Sequence, residues 1–187
     1  MGIYIFGYGS LINPVSASMT LGRSLKQNDI ICTEIINHIR IWDIVVNVIL
    51  NRNNMLIPIN ALFLDVQESV GKITNGVLIK IVRKDLEKMD IREKQYERID
   101  VTQDIFPPLS NDDIIYTYKG RKEFFSNNYE NIKILYEYKK MIDNGIQYWG
   151  NSFSEKFFSS TLLKEVEIVK GSYKFLDEKQ NLLTGHF

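Results

Sequence analysis

Gly2-Ile3-Tyr4-Ile5-Phe6-Gly7-Tyr8-Gly9-Ser10-Leu11-Ile12, followed by Asn13-Pro14, opens the chain. Residues 3–6 are aromatic and β-branched and read as a buried strand. Gly7-Tyr8-Gly9-Ser10 reads as a glycine loop. Asn13 is a good N-cap with Pro14 at the first helical position, so Pro14–Leu21 reads as a helix. Strand, loop and helix in this order put the loop at the carboxyl end of the strand. Its backbone N–H groups can turn toward an anion or a developing oxyanion.

The following elements set the fold class. Residues 29–46 are rich in Ile, Val and Trp with polar residues interleaved, as expected of one long bent strand, or of two strands joined at Asn37-His38. Asn51-Arg52-Asn53-Asn54 is a turn cluster. Residues 61–66 and 75–82 read as two strands joined through Gly71 and paired antiparallel. Residues 83–90 read as a helix with Leu86 and Met89 inward, and 98–105 and 114–119 as strands separated by Pro107-Pro108. Ile132, Leu135, Tyr136, Lys139 and Ile142 have helical spacing that stops at Gly145, and 152–163 reads as a helix with Phe153, Phe157 and Phe158 inward. Strands first and helices later predict an α+β fold with a mostly antiparallel, barrel-like sheet, in one domain over 1–187.

Composition narrows the function. Hydrophobic residues are 44% and charged residues 25%, ordinary for a globular protein, and Lys+Arg and Asp+Glu are both 23. That balance gives no footprint for nucleic acid or an anionic membrane, so the expected partner is a small molecule in a pocket. It leaves the oligomeric state open. The one cysteine, Cys32, excludes an intrachain disulfide and fits a reducing compartment. The apolar strand begins too early for a signal peptide, and the stretch from Ile41 to Leu50 is too short and polar to span a bilayer, so a cytoplasmic location is expected.

The loop matches none of three familiar devices. A dinucleotide fingerprint needs Gly or Ala where Ile12 stands, a P-loop needs a Lys that does not come until Lys26, and a nucleophile elbow needs Gly after Ser10-Leu11. A Ser10 hydrolase would draw its base from His38 or His186, the two histidines of the chain. No Cys pair, no His-x-x-x-His and no loop of oxygen ligands points to a metal. Asp90-Ile91-Arg92-Glu93-Lys94-Gln95-Tyr96, a mixed-charge segment between a helix and a strand, holds a further candidate, Glu93.

Taken together, Tyr4-Ile5-Phe6-Gly7-Tyr8-Gly9-Ser10-Leu11-Ile12 and Asp90-Ile91-Arg92-Glu93-Lys94-Gln95-Tyr96-Glu97-Arg98 resemble the two signatures of the γ-glutamylcyclotransferase-like superfamily, including its AIG2-like members. Arg40-Ile41-Trp42 resembles an Arg-x-Trp element of the bacterial members, and Asn75-Gly76-Val77 the strand before the catalytic segment. The resemblance covers about the first hundred residues. It implies a small β-barrel flanked by helices. The implied activity is cyclisation of a γ-glutamyl amine or amino acid to 5-oxoproline, without a cofactor. Glu93 falls on the family's catalytic glutamate. Tyr8, Gly9, Ser10 and Leu11 would hold the substrate, with Tyr96 lining the pocket or donating through its hydroxyl, and Arg40 meeting a substrate carboxylate or forming a structural ion pair with an Asp or Glu. Two other readings remain at this point: a non-catalytic γ-glutamyl or small-acid binder on the same fold, and the Ser10/His38 hydrolase.

Overall fold

The computed structural model describes residues 2–110, 112–126 and 128–185; His186 lies outside the described residues. The chain runs β1 (Ile3–Gly7), α1 (Pro14–Leu21), β2 (Ile30–Arg52), β3 (Met55–Ile81), α2 (Asp85–Arg92), β4 (Tyr96–Asp100), β5 (Ile105–Phe106), β6 (Ile114–Gly120), β7 (Ile132–Leu135), α3 (Tyr136–Trp149), α4 (Asn151–Ser159), β8 (Thr161–Leu162), β9 (Ile168–Val169), β10 (Ser172–Phe175) and α5 (Glu178–Thr184). The architecture is α+β, as the order of elements predicts. Among the described residues no helix is long and apolar enough to cross a membrane.

The sheet is mixed and follows the order β10-β2-β3-β1-β6-β4. β1 lies inside it, antiparallel to β3 (Ile3↔Ile81 to Gly7↔Val77) and parallel to β6 (Ile3↔Ile114). Both flanks of β1 are therefore hydrogen-bonded, which holds the end of the strand, and the loop beyond it, in a fixed place. Among the described residues no ladder joins β4 to β10, so strand pairing leaves the barrel open. Side-chain bonds connect β3 with β6 and β4: Asp65 Oδ1 accepts from the Gly120 N–H at 2.7 Å, Glu68 Oε1 from Lys119 Nζ at 2.8 Å, and the Leu64 carbonyl from the Tyr96 hydroxyl at 2.8 Å.

β2 and β3 form one long hairpin. Asn53 and Asn54 at its tip have φ of 52° and 62°, the left-handed pair that a two-residue hairpin turn requires. Of the two expectations for 29–46, the single bent strand holds. The bend is a bulge at Asn37, which has φ 58° and whose Oδ1 accepts from the Gly71 N–H at 3.0 Å. Asn37 is left unpaired between Ile36↔Ile73 and His38↔Glu68, opposite residues 69–72 of β3, and an unpaired residue exchanges the two faces of a strand. Thr33 and Ile35 are buried before it, and His38, Arg40, Trp42 and Ile44 after it. The bulge is thus what turns Arg40 inward.

Three expectations need correction. Residues 61–66 and 75–82 do not pair with each other; they belong to the continuous β3, and both lie against β2. Ile132–Leu135 is a strand beside β3 and β9, so α3 starts only at Tyr136. α3 also runs through Gly145 and stops at Gly150, whose φ is 85°. Gly145 marks close packing: a Cβ there would lie 2.8 Å from the Asn13 backbone N and 3.0 Å from its Cα. Finally, α4 ends at Ser159, and Phe158 is 53% exposed while Phe153 and Phe157 are buried. Phe153 and Phe157 are one turn apart on the inner face; the next residue is rotated out of it.

Around the first loop the chain is tied down from several sides. The Asn13 side chain caps α1 by accepting from the Val15 N–H and donates to the Met141 carbonyl of α3 at 2.9 Å. The Trp149 indole N–H donates to the Ile12 carbonyl at 2.8 Å.

Gly145→Ala gains about 1 kcal/mol of helix propensity. It also forces a methyl against the Asn13 backbone and the Ile12 side chain, and overpacking costs about 1–3 kcal/mol. The clash is against main chain that cannot rotate away, so a net loss is expected, read as a Tm lowered by about 3–6 °C in a thermal melt. A raised Tm would contradict the packing described.

Candidate active site

The loop after β1 and the end of α2 face each other across two adjoining cavities that share Ser10, Glu93, Tyr96 and Tyr138. The first is walled by residues 6–11 with Leu64 and Tyr118; the second runs on between Phe63, Met141, Tyr173 and Gln180. Of the residues singled out from the sequence, Tyr8, Gly9, Ser10, Leu11, Glu93 and Tyr96 all line the first cavity.

Ser10–Ile12 is a single 3-10 turn, in which the Gly9 and Ser10 carbonyls accept from Ile12 and Asn13. The N–H groups of Gly9, Ser10 and Leu11 have no protein acceptor among the described residues. One of them has a direction that can be derived. The Tyr8 carbonyl accepts from Arg40 Nε at 2.8 Å. The Tyr8–Gly9 peptide is trans, so the Gly9 N–H points away from Arg40.

Arg40 itself does not reach the cavities, which corrects its expected contact with a substrate carboxylate. It is fully buried and its nitrogens are taken by protein: Tyr8 O, Phe157 O at 3.2 Å, Thr161 Oγ1 at 3.1 Å, Ser160 Oγ at 3.3 Å, and the Asn75 carbonyl and side chain. Among the described residues it also lacks the acidic partner a structural ion pair would need. Burial lowers its pKa to about 9.

Glu93 caps α2, with its N–H donating to the Met89 carbonyl at 2.9 Å and its own carbonyl accepting from Tyr96 N–H at 2.8 Å. Its side chain is 17% exposed. Oε1 accepts from Arg92 Nε at 2.7 Å. Oε2 has no hydrogen bond among the described residues.

The tyrosines differ in what their hydroxyls have left to give. The Tyr8 hydroxyl donates to Tyr118 O at 2.6 Å and the Tyr96 hydroxyl to Leu64 O at 2.8 Å, so both protons are committed. Tyr138 instead accepts from the Leu64 N–H at 3.4 Å, which leaves its proton for the cavity side. Burial first pushes the Tyr8 and Tyr96 hydroxyls well up, followed by Asp65 and Glu93 for Tyr8 and by the neighbouring Tyr8 and Tyr138 phenols and then those carboxylates for Tyr96; burial does the same for Tyr138. All three are neutral phenols at physiological pH. Tyr138 and Arg92 are the site residues that sequence reasoning missed. Tyr138 is hidden inside an ordinary helical stripe. Arg92 sits in plain view beside Glu93, with a charge that reads as surface.

The Ser10/His38 hydrolase does not survive the geometry. His38 is on β2, its ring Nδ1 2.8 Å from the Ile36 carbonyl, and it lines a different cavity with Glu68 and Asp104. Ser10 Oγ lies 2.9 Å from Arg92 Nη2, and a guanidinium can only donate, so no base takes the serine proton there.

No protein-family model matches the chain, and no curated protein matches it. Solved structures do. A γ-glutamyl cyclotransferase matches over 99% of this chain and 99% of its own, with TM-score 0.59 and 14% identity. An uncharacterised protein from Homo sapiens matches over 97% and 98%, with TM-score 0.56 and 15% identity. YkqA from Bacillus subtilis matches over 84% of this chain and 53% of its own, with TM-score 0.51 and 17% identity. At these identities the likeness is one of fold, and it agrees with the α+β architecture described above.

Asp65 beneath the site gives a pH test. It is fully buried, and burial raises its pKa to about 6. Its proton is therefore held more tightly in the folded than in the unfolded chain. That contribution to stability is complete below about pH 4 and is lost as pH rises through about 6. Asp65→Asn keeps an acceptor for the Gly120 N–H and loses the titration. Its stability relative to wild type is expected to rise by about 3 kcal/mol between pH 4 and pH 8 in urea unfolding. An equal difference at both pH values would refute the buried charge.

Proposed function

We propose that this chain, which has the γ-glutamyl cyclotransferase fold, cyclises γ-glutamyl amines or γ-glutamyl amino acids to 5-oxoproline, with Glu93 as the general acid and base. The observation that carries this reading is the placement of Glu93 across one cavity from the N–H groups of Gly9, Ser10 and Leu11.

The reaction asks for two things at a fixed separation. The α-amine arrives as an ammonium, so a carboxylate must take a proton before nitrogen can attack. The side-chain carbonyl must become a tetrahedral oxyanion, which buried N–H donors stabilise. In the proposed sequence Glu93 removes a proton from the α-ammonium. The amine nitrogen bonds to the side-chain carbonyl carbon, closing a five-membered ring. The ring nitrogen gives up a second proton to become the lactam N–H, the bond from that carbon to the leaving nitrogen breaks, and Glu93 relays both protons in turn to the leaving nitrogen, which departs as an ammonium. No net oxidation, water or cofactor enters. Because the attack is intramolecular, holding the folded-back conformer contributes several kcal/mol through orientation.

The loop acts by backbone in this scheme. The hydroxyl of Ser10 accepts from Arg92, and the Tyr138 hydroxyl, close to Gly9, is a further neutral donor at the same wall.

The test is product analysis on a panel of γ-glutamyl amines and amino acids that includes glutathione. 5-Oxoproline and the free amine are expected, and Glu93→Gln should lower kcat by about 10²–10⁴-fold. A panel that yields no 5-oxoproline, or a Glu93→Gln variant as active as wild type, would sink the proposal.

A further inference from the structure

Arg92 is the charged group of the site to which the scheme above gives no task, and its surroundings are unusual. It is 4% exposed at the end of α2. One guanidinium binds Glu93 Oε1 through Nε, Ser10 Oγ and Ser16 Oγ through Nη2 at 2.9 and 3.0 Å, and Thr20 Oγ1 through Nη1. Four of the five donors of the planar fork are used on protein, so Arg92 is not an open cation awaiting a substrate carboxylate. Three of its partners lie on the chain from the first loop into α1, and the fourth is the carboxylate proposed to do the chemistry. Behind it, the Arg92 carbonyl accepts from Gln180 Nε2 of α5 at 2.7 Å, which fixes the backbone that carries the fork.

We propose that Arg92 is a positioning residue for the cyclisation: it sets the distance between Glu93 and the substrate loop, and it divides the work of the two carboxylate oxygens. Oε1 is held by Nε, so Oε2 takes the proton from the ammonium and delivers it to the leaving nitrogen. Ser10 Oγ accepts from the same guanidinium, so its hydroxyl proton is turned to another acceptor, and the serine serves as a donor. A lysine cannot replace this arrangement. Its ammonium is a point charge on a flexible stem and lacks the planar fork that spans both partners. The inference rests on the cyclotransferase reading for the word cyclisation, but the geometry it asserts can be read without turnover.

Two measurements test it. In steady-state kinetics with the best γ-glutamyl substrate, Arg92→Met is expected to lose ~100-fold in kcat with KM changed by less than about threefold, the size of effect a misplacement of about 1 Å produces. Arg92→Lys should lose ~10-fold, and Thr20→Ala, which removes an anchor but leaves the contacts to Glu93 and Ser10, should stay within about twofold. Crystal structures of the two Arg92 variants should show the Glu93 carboxylate turned away from its wild-type place. Should Arg92→Met fail to fold, Arg92→Lys carries the test alone. Wild-type kcat in a folded Arg92 variant, or an unmoved Glu93 carboxylate, overturns the inference. If wild type itself forms no 5-oxoproline, the cyclotransferase reading falls, while the carboxylate position still decides whether Arg92 places Glu93.

Discussion

A cation buried without a carboxylate partner holds the molecule together. Arg40 projects from β2 into the core, where burying a charge costs several kcal/mol unless every donor is met. Here the donors are met by carbonyls and hydroxyls from four parts of the chain: the first loop, β3 at Asn75, the end of α4 at Phe157 and Ser160, and β8 at Thr161. The guanidinium also lies 3.8 Å over the Phe157 ring, a face that attracts cations. Oxygen acceptors rather than an ion pair leave the positive charge uncancelled locally. The Tyr8 carbonyl is the partner with consequences. Its capture fixes the Tyr8–Gly9 peptide plane, and with it the direction of an N–H at the cavity wall.

The opposite wall is held by amide and ion-pair contacts from the end of the chain. Gln95 and Gln180 exchange side-chain hydrogen bonds at 2.7 and 3.1 Å, and Gln180 also reaches the Arg92 carbonyl. Lys94 pairs with Asp177 at 2.6 Å, though half-exposed pairs of this kind contribute little to stability. The buried amide contacts matter more, because an unmet buried amide costs more than a met one gains. All of them fall on residues 92–95, the turn that carries Glu93. The elements that follow β6 therefore close the site. The first loop and the turn at 92–95, both in the first hundred residues, face each other across it.

Local rules read well where local chemistry decides the structure. Asn13-Pro14 starts a helix that ends where Gly22 allows it, and Asn53-Asn54 makes a hairpin turn. Errors arise where tertiary contact decides. Ile132, Leu135 and Tyr136 keep helical spacing, yet the first two belong to a strand because β3 and β9 offer it pairing. Gly145 looks like a helix stop and is a packing requirement, and Phe158 shares its composition but not its phase with Phe153 and Phe157. Arg40 was visible as a residue, but its burial depends on the bulge at Asn37, which changes the facing of β2 up to the second register shift between Trp42 and Ile44. Arg92 could not be distinguished from a surface charge, because its three hydroxyl partners are more than seventy residues away in sequence.

The two guanidinia are not equivalent, and the difference bears on the zwitterionic substrate proposed above. Arg92 is paired with Glu93, so its field at a distance is largely cancelled by the carboxylate 2.7 Å away. Arg40 has no such partner and stands one peptide unit behind the loop. Coulomb attraction in a weakly solvated interior extends further than in water, so the Glu93 side of the cavity favours positive charge; on the loop side Asp65 opposes Arg40 at the Tyr8 hydroxyl, and the open N–H groups of Gly9, Ser10 and Leu11 are what favour negative charge there. The phenols between them stay neutral, since burial and the carboxylates raise their pKa values, and add dipoles rather than charge. A ligand with a carboxylate and an ammonium on one carbon would be aligned by that gradient. The carboxylate would lie toward residues 8–11 and the ammonium toward Glu93 Oε2, which leaves the side-chain carbonyl folded back within reach of the nitrogen. In this scheme alignment comes from charges and dipoles the fold has already fixed, so it needs little reorganisation when the substrate binds.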